Sequence, residues 1–202
     1  MKELKLLTPP HVPSQAEAAI RYVSGLDVKT KDWSIGTGGM REMLRMLYTA
    51  SPHSFENRKM RVLEIGTCRS LTSILFASLG TVYTLDVKYY PETEAILEGA
   101  PAGTRSNIVG IVAGDANKAR EMVYAMHHIF DAVFIDGCHT YDAVVRDITF
   151  AREHAKSLIF HDYDERHKSG VVRAVDAFRL TVPTVAFAKS ETTCLAMTRD
   201  EG

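Results

Sequence analysis

An acidic residue, a glycine and a second acidic residue stand at a spacing that could hold a nucleotide-type ligand. Glu64 and Gly66 close a short apolar run, and Asp86 closes another about twenty residues later. A glycine at such a turn lets backbone approach a ligand, and a carboxylate on the next strand accepts hydrogen bonds from ribose hydroxyls. A dinucleotide site usually carries three glycines at fixed offsets. Here Gly66 stands alone, Thr67 follows it, and Ser70 occupies the place of a later glycine.

Three later apolar runs also end in residues suited to acid–base or metal chemistry. They lead to Gly114 and Asp115, to Asp136 and His139, and to His161 and Asp162. Helix capping explains one or two acidic residues in such places, but it explains a series along five strands poorly. Asp136 and Asp162 could bind a divalent cation, magnesium or manganese, that lowers the pKa of a chelated hydroxyl. His139 or His161 could instead take the hydroxyl proton near neutral pH.

The elements that must position these residues follow from the alternation of strand and helix patterns after Met60. Strands are predicted at 62–65, 81–85, 108–112, 131–135 and 157–160, and helices at 71–79, 92–97, 117–127, 141–154 and 171–180. Two more strands, at 184–187 and 193–197, are predicted to pair as a hairpin. This order predicts a Rossmann-like, doubly wound α/β fold whose seven-stranded sheet is mostly parallel, with a C-terminal antiparallel hairpin strand. The polar strand ends then share one rim, where ligands of such sheets bind.

Residues 1–59 form a different kind of segment. Residues 1–13 carry three prolines and are expected to form an extended or frayed arm, while 14–25 and 40–47 show helical spacing. We interpret 1–59 as a helical preface that covers the mouth of the site and is not an independent domain, and 60–202 as the ligand-binding domain. The apolar helices of the preface also offer a surface for a homodimer.

Composition excludes several classes of protein. The 202 residues are 46% apolar with a formal net charge of −1, which is typical of one globular domain and gives no general attraction to nucleic acid. No apolar run approaches the roughly 20 residues that span a bilayer, so no membrane partner is expected. The three cysteines show no metal-ligand spacing, and the amino-terminal residues lack the apolar core of a signal peptide. A cytoplasmic location is therefore predicted.

Two longer motifs carry a family resemblance. Residues 134–141 read FIDGCHTY, with Val144 and Asp147 beyond them. They resemble the FIDG-x-H-x-Y-x-x-V-x-x-D signature of one class I methyltransferase subgroup, which includes sugar and macrocin-type O-methyltransferases. Residues 158–163 and 170–176 resemble the fifth strand and following helix of that subgroup. With the turn at Gly66, the resemblance covers about residues 60–180. Ser70 departs from the family pattern, which usually has glycine there.

The resemblance implies an S-adenosylmethionine (SAM)-dependent methyltransferase that acts on a hydroxyl of a small molecule or sugar. It implies cofactor contacts from Glu64, Gly66, Thr67, Asp86, Gly114, Asp115 and Asp136, and catalytic roles for His139, His161 and Asp136. Metal-dependent members of the wider family place carboxylates where Asp136 and Asp162 stand. Two alternatives stay open: a non-catalytic SAM-binding subunit or sensor, and an NAD-dependent oxidoreductase. The missing glycines and the lack of a Tyr-x-x-x-Lys pair argue against the second alternative.

Overall fold

Strands and helices alternate in the computed structural model, which describes residues 2–26, 36–126, 129–164, 169–190 and 194–200. The strands are β1 (Met60–Ile65), β2 (Gly80–Asp86), β3 (Ile108–Val112), β4 (Ala132–Ile135), β5 (Ser157–Phe160), β6 (Val185–Lys189) and β7 (Ala196–Asp200). The helices are α1 (Ser14–Gly25), α2 (Thr37–Ala50), α3 (Pro52–Glu56), α4 (Leu71–Ala77), α5 (Glu92–Glu98), α6 (Ala116–Met126), α7 (Tyr141–Ala151) and α8 (Gly170–Thr181). Within these ranges, no helix combines the length and apolarity that a membrane crossing requires.

One sheet contains all seven strands, in the order β3-β2-β1-β4-β5-β7-β6. Strands β1 to β5 pair in parallel, whereas β7 lies antiparallel between β5 and β6. The strand order reverses between β1 and β4, which is where open α/β sheets bind ligands. The predicted Rossmann-like α/β fold, with a mostly parallel sheet and one antiparallel C-terminal strand, is confirmed.

The central strand β4 shows why the chain folds as two layers of helices on one sheet. All four of its residues are buried. Because successive side chains of a strand point to opposite faces, Phe134 packs in the cluster that contains α1, α2 and α4, while Val133 and Ile135 pack in the cluster that contains α6, α7 and α8. A strand covered on both faces requires a continuous apolar run, and this is what residues 132–135 supply.

The amino-terminal arm was predicted to be extended or frayed, and its first residues take the extended form. Glu3 pairs in parallel with Phe187 on β6, the Leu4 amide donates to the Phe187 carbonyl at 2.9 Å, and the Phe187 amide donates to the Lys2 carbonyl at 3.3 Å. The arm therefore adds a short pairing to the edge strand of the sheet. Helices α1 and α2 bury their apolar faces in the same cluster as α4, so this apolar surface is covered within the chain. Residues 27–35, between these helices, lie outside the described residues.

Several element boundaries differ from the predictions. Strand β7, predicted at 193–197, is described from Ala196 onward; the Ser190 amide donates to the Leu195 carbonyl at 2.9 Å just before it, and residues 191–193 lie outside the described residues. Helix α2 is longer than predicted, and the short helix α3 was not predicted. Helix α1, in contrast, has the predicted bounds, Ser14–Gly25.

Candidate active site

The turn after β1 is shaped by contact with the end of β4. Gly66 has a φ of +98°, and a Cβ atom added to it would overlap the carbonyl oxygen of Asp136 and lie 2.6 Å from the carbonyl carbon. Only glycine can meet both conditions. The Gly66 and Thr67 amides both donate to the Leu85 carbonyl, at 2.9 and 3.2 Å. The glycine therefore brings the carboxyl ends of three neighbouring strands together.

Two further residues of this turn, Cys68 and Ser70, adopt the left-handed backbone conformation. Cys68 has a φ of +46° and Ser70 a φ of +63°. Ser70 immediately precedes α4 and is buried, and its amide donates to the Thr67 carbonyl at 2.8 Å. Glycine adopts this conformation without steric cost, so the serine keeps a turn geometry for which glycine is the usual residue.

Asp86, at the end of β2, fixes the turn from the opposite side. One carboxylate oxygen accepts from the Cys68 amide at 2.8 Å, and the other accepts from the Lys88 amide at 3.1 Å. Asp86 also borders a cavity of about 210 Å³ that extends over β2 and β3. Its other lining residues are Thr67, Cys68, Ser70, Thr84, Lys88, Tyr89, Tyr90, Thr93, Glu94, Leu97, Arg105, Ile108, Gly110 and Val112. Thr67 and Asp86 are thus the predicted cofactor residues that line this cavity.

Glu64 lies beneath the turn rather than in the cavity. It is buried, and one of its oxygens accepts hydrogen bonds from Ser73 and, at 2.7 Å, from Thr84. The Thr84 hydroxyl also hydrogen-bonds that of Thr67. The pKa of Glu64 is raised to about 8, chiefly by burial; the hydrogen bonds from Ser73 and Thr84 oppose this shift, and the charges of Asp136 and Asp86 add to it. Glu64 is therefore mostly protonated at neutral pH and organises the turn from below.

Thr84 is a site residue that the sequence reading missed. It lies two positions before Asp86 on β2, and alternate residues of a strand share a face. That spacing is the signal by which it could have been found. The cavity residues after β2, from Lys88 to Thr93, carry no motif and could not be identified from the sequence in this way.

Asp115, after the end of β3, caps the amino terminus of α6. Gly114 has a φ of +67°, and Asp115 follows it directly before α6. One Asp115 carboxylate oxygen accepts from the Asn117 amide at 2.9 Å and from the Lys118 amide at 3.1 Å. This is the hydrogen bonding of a helix N-cap. The contact of Gly114 and Asp115 with a cofactor stays a prediction.

The ends of β4 and β5 bring together Asp136, His139, His161 and Asp162, which we call the rim cluster. His161 Nδ1 lies 3.0 Å from Asp136 Oδ1 and 3.5 Å from Asp162 Oδ1. The two ring nitrogens of His139 face the same two carboxylates, with Nε2 3.4 Å from Asp136 Oδ1 and Nδ1 3.2 Å from Asp162 Oδ2. Each imidazole therefore bridges both carboxylates.

The carboxylates of the rim cluster favour protonated imidazoles. Burial by itself lowers the pKa of His161, but hydrogen bonds to Asp136 and Asp162 and the charges of both carboxylates raise it to about 9. The hydrogen bond to Asp136 raises the pKa of His139 despite partial burial. The hydrogen bond from His161 lowers the pKa of Asp162. His139 is the more accessible imidazole, since 47% of its side chain is exposed whereas His161 is buried.

Helix α8 supports the loop that carries His139. Gly170, its first residue, lies so close to this loop that an added Cβ would overlap the His139 carbonyl oxygen and stand 2.8 Å from the Thr140 carbonyl carbon. Arg173, one turn later, has its guanidinium carbon 5.0 Å from the Tyr141 ring centre. Residues 165–168, in the loop between β5 and α8, lie outside the described residues.

Comparison with known proteins identifies the fold but no family. The sequence matches no family model and no curated protein. An O-methyltransferase from Bacillus cereus, in complex with S-adenosylhomocysteine (SAH), matches with a TM-score of 0.65 and 16% identity over 93% of this chain and 91% of that chain. TomG from Streptomyces achromogenes, an O-methyltransferase involved in tomaymycin synthesis and in complex with SAM, matches with a TM-score of 0.64 and 18% identity over 94% and 89%.

A third structure is that of MycE, a methyltransferase from the mycinamycin biosynthetic pathway, in complex with Mg, SAH and mycinamycin VI. It matches with a TM-score of 0.61 and 14% identity over 94% of this chain and 56% of that chain. Similarity at these identities establishes architecture rather than activity. The chain therefore has the Rossmann-like fold of these methyltransferase structures.

Proposed function

We propose that this protein is a SAM-dependent methyltransferase that methylates a hydroxyl of a small molecule or sugar. The observation that carries the proposal is the shared rim, on which the Gly66 turn and Asp86 adjoin the rim cluster. The fold supports it, because similar structures are O-methyltransferases determined with SAM or SAH.

The cofactor site follows from the turn and its neighbours. Asp86 lines the cavity and is held by two backbone amides, and its carboxylate can accept hydrogen bonds from ribose hydroxyls there. Glu64, Gly66 and Thr67 fix the turn beside it, and we assign Gly114 and Asp115, which follow β3, to the adjoining side of the cofactor site. Asp136, whose backbone lies against Gly66, connects this site to the rim cluster.

Proton removal from the acceptor falls to His139 in this proposal. When bound, the cofactor supplies an electrophilic methyl group on a sulfonium. On transfer, the acceptor oxygen would form a bond to the methyl carbon while the carbon–sulfur bond breaks with its electron pair left on sulfur, and the hydroxyl proton would pass to Nε2 of the neutral form of His139. Asp162 holds the His139 ring through Nδ1 at 3.2 Å, and the Asp136 carboxylate, at the longer distance of 3.4 Å from Nε2, stabilises the imidazolium that forms. His161 balances the carboxylate charge or serves as a cation ligand.

The rim cluster also fits a divalent cation. Ligand atoms of Asp136, His161 and Asp162 all lie within 4.8 Å of one another. The 3.0 and 3.5 Å separations from His161 Nδ1 resemble those between adjacent ligands of an ion with bonds of about 2.1 Å. A set of two carboxylates and one imidazole suits manganese better than magnesium. Such an ion would lower the pKa of a bound acceptor hydroxyl.

Titration calorimetry with SAM, SAH and NAD tests the proposal. We expect SAM and SAH to bind and NAD to show no comparable affinity, whereas tight NAD binding without SAH binding would overturn the methyltransferase assignment. A screen of hydroxylated compounds with methyl-labelled SAM then tests catalysis. Binding of SAH without transfer to any acceptor in a broad screen would favour the non-catalytic alternative.

A further inference from the structure

The backbone of Asp162 has a conformation that its surroundings must maintain. Its φ is +55°, in the left-handed region that non-glycine residues occupy infrequently. The Asp164 amide donates to the Asp162 carbonyl at 2.9 Å, which closes a tight turn directly after β5. This turn directs the Asp162 carboxylate towards His139 and His161 in the rim cluster.

The next residue, Tyr163, is anchored on elements that contribute no side chain to the rim cluster. Its amide donates to the Cys194 carbonyl at 3.0 Å, and its hydroxyl donates to Asp176 Oδ1 at 2.8 Å. Arg179 lies 3.4 Å from that hydroxyl and 3.3 Å from Asp176 Oδ1. The guanidinium carbon of Arg179 lies 3.6 Å from the ring centre of Phe187, and the Tyr163 ring meets Phe187 edge-on at 5.5 Å. We call Tyr163, Asp176, Arg179 and Phe187 the tyrosine clamp.

The clamp connects the end of β5 to α8 and β6. Tyr163 is only 4% exposed and packs in the apolar cluster beneath the rim, while the Asp162 carboxylate stands in the rim cluster. Because Asp162 and Tyr163 are consecutive, a buried ring and a rim carboxylate are joined by a single peptide bond. A buried, hydrogen-bonded ring has few alternative positions, so it restricts the backbone of the residue before it.

We propose that Tyr163 is a positioning residue that holds Asp162 in its left-handed conformation and thereby sets the geometry of the cation site at Asp136, His161 and Asp162. This inference rests on the proposed function, because it assigns the clamp to the cation site proposed there. Partners outside the first ligand shell of a metal typically affect its affinity by about 10- to 100-fold.

Manganese affinity, measured by electron paramagnetic resonance, tests the proposal without an acceptor. We expect Tyr163→Phe, which removes only the hydroxyl, to weaken Mn²⁺ binding about tenfold, and Tyr163→Leu to weaken it about a hundredfold. Asp176→Asn keeps an acceptor for the hydroxyl and should weaken binding less than Asp176→Leu. SAH affinity should remain within about twofold of wild type in each variant, since the clamp touches none of the residues proposed to contact cofactor.

A matched control is Tyr48→Phe. The Tyr48 hydroxyl also bonds a carboxylate, that of Glu56 at 3.1 Å, but it lies on α2, so this variant should bind Mn²⁺ like wild type. Wild-type Mn²⁺ affinity in both Tyr163→Phe and Tyr163→Leu would overturn the proposal. If the wild-type protein binds SAH but no Mn²⁺, the cation part of the proposed function fails. The positioning role of Tyr163 is then tested by crystal structures of the wild type and the variant. A Tyr163→Leu structure that retains the positive φ of Asp162 and its His139 contact would then overturn positioning, whereas a displaced Asp162 would support it.

Discussion

The carbonyl group of Asp136 lies directly against Gly66, where a side chain on the glycine would stand 2.6 Å from the carbonyl carbon. A residue of the predicted cofactor turn is thus in contact with a residue of the rim cluster. Gly66 is needed because β4 passes beside it, whatever ligand binds above. The two halves of the site therefore depend on each other through backbone packing.

The first prediction concerns this contact. Gly66→Ala combines left-handed strain with a backbone overlap, so we expect it to lower the free energy of unfolding by about 3 kcal/mol or more. Gly103→Ala is the control, because Gly103 has a φ of +80° but an added Cβ meets nothing within 4 Å. It should cost only about 1–2 kcal/mol. Urea denaturation measures both, and equal losses would contradict the importance of the Asp136 contact.

The second prediction concerns the pH dependence of stability. Glu64 has a pKa of about 8 in the folded protein, against an ordinary value of 4.5. Between these values the folded state retains a proton that the unfolded state has released, so this group makes stability fall as pH rises through that window. Its slope approaches about 1.4 kcal/mol per pH unit. Glu64→Gln should remove this slope and be more stable than wild type at pH 8.

Denaturation at a series of pH values tests this expectation. Glu121→Gln, at an exposed position on α6, should retain the wild-type profile. Parallel profiles for wild type and Glu64→Gln would show that Glu64 does not keep its proton in the folded state.

The third prediction separates ligand binding from stability at Asp86. Asp86→Asn should weaken SAH binding roughly 10- to 100-fold, because a charged acceptor is lost where ribose hydroxyls are expected. Asp131 is a matched control at the opposite end of the sheet, where its carboxylate accepts from the Arg61 amide at 2.8 Å and from the Ser54 hydroxyl at 3.0 Å. Asp131→Asn should lower stability yet leave SAH affinity, measured by calorimetry, unchanged. Wild-type SAH affinity in Asp86→Asn would exclude Asp86 as the ribose acceptor.

The fourth prediction concerns the rim cluster. Asp136→Asn and Asp162→Asn should each weaken Mn²⁺ binding by about tenfold or more and reduce methyl transfer by about a hundredfold. SAH affinity should be retained, because Asp136 contacts the cofactor turn through its backbone carbonyl, which Asn keeps. Asp142→Asn, on the exposed first turn of α7, should retain both properties. Full methyl transfer in the presence of a strong chelator would rule out the cation hypothesis and leave His139 as the group that removes the acceptor proton.

Much of this architecture could be predicted because it depends on local patterns. Buried parallel strands require continuous apolar runs, and residues 132–135 and 157–160 could be identified as strands in this way. The rim cluster follows from the topology, since Asp136 and His161 close neighbouring parallel strands and must meet at one edge.

Other features depend on contacts between distant residues, which no local pattern encodes. The prolines left open whether the arm is extended or frayed, and the pairing of Glu3 with Phe187 is what selects the extended form. The pKa of His161 is raised to about 9 by two carboxylates, and only the fold brings these carboxylates close to the imidazole. The ordinary histidine pKa, which is all that the sequence offers, is therefore too low. The positive φ of Asp162 could not be predicted from the sequence either, because we attribute it to the hydrogen bond of Tyr163 with Asp176 on α8, a distant part of the chain.

The pairing of the amino-terminal arm with β6 has a consequence for folding. Residues 2–4 reach their only described sheet partner on a strand formed near the other end of the chain. During synthesis the arm must wait until β6 emerges, and until then its backbone groups are open to other partners. Such long-range pairing slows folding and leaves strand edges exposed in intermediates. The β6 edge is consequently the place where a shortened or blocked arm would first permit chain-to-chain aggregation.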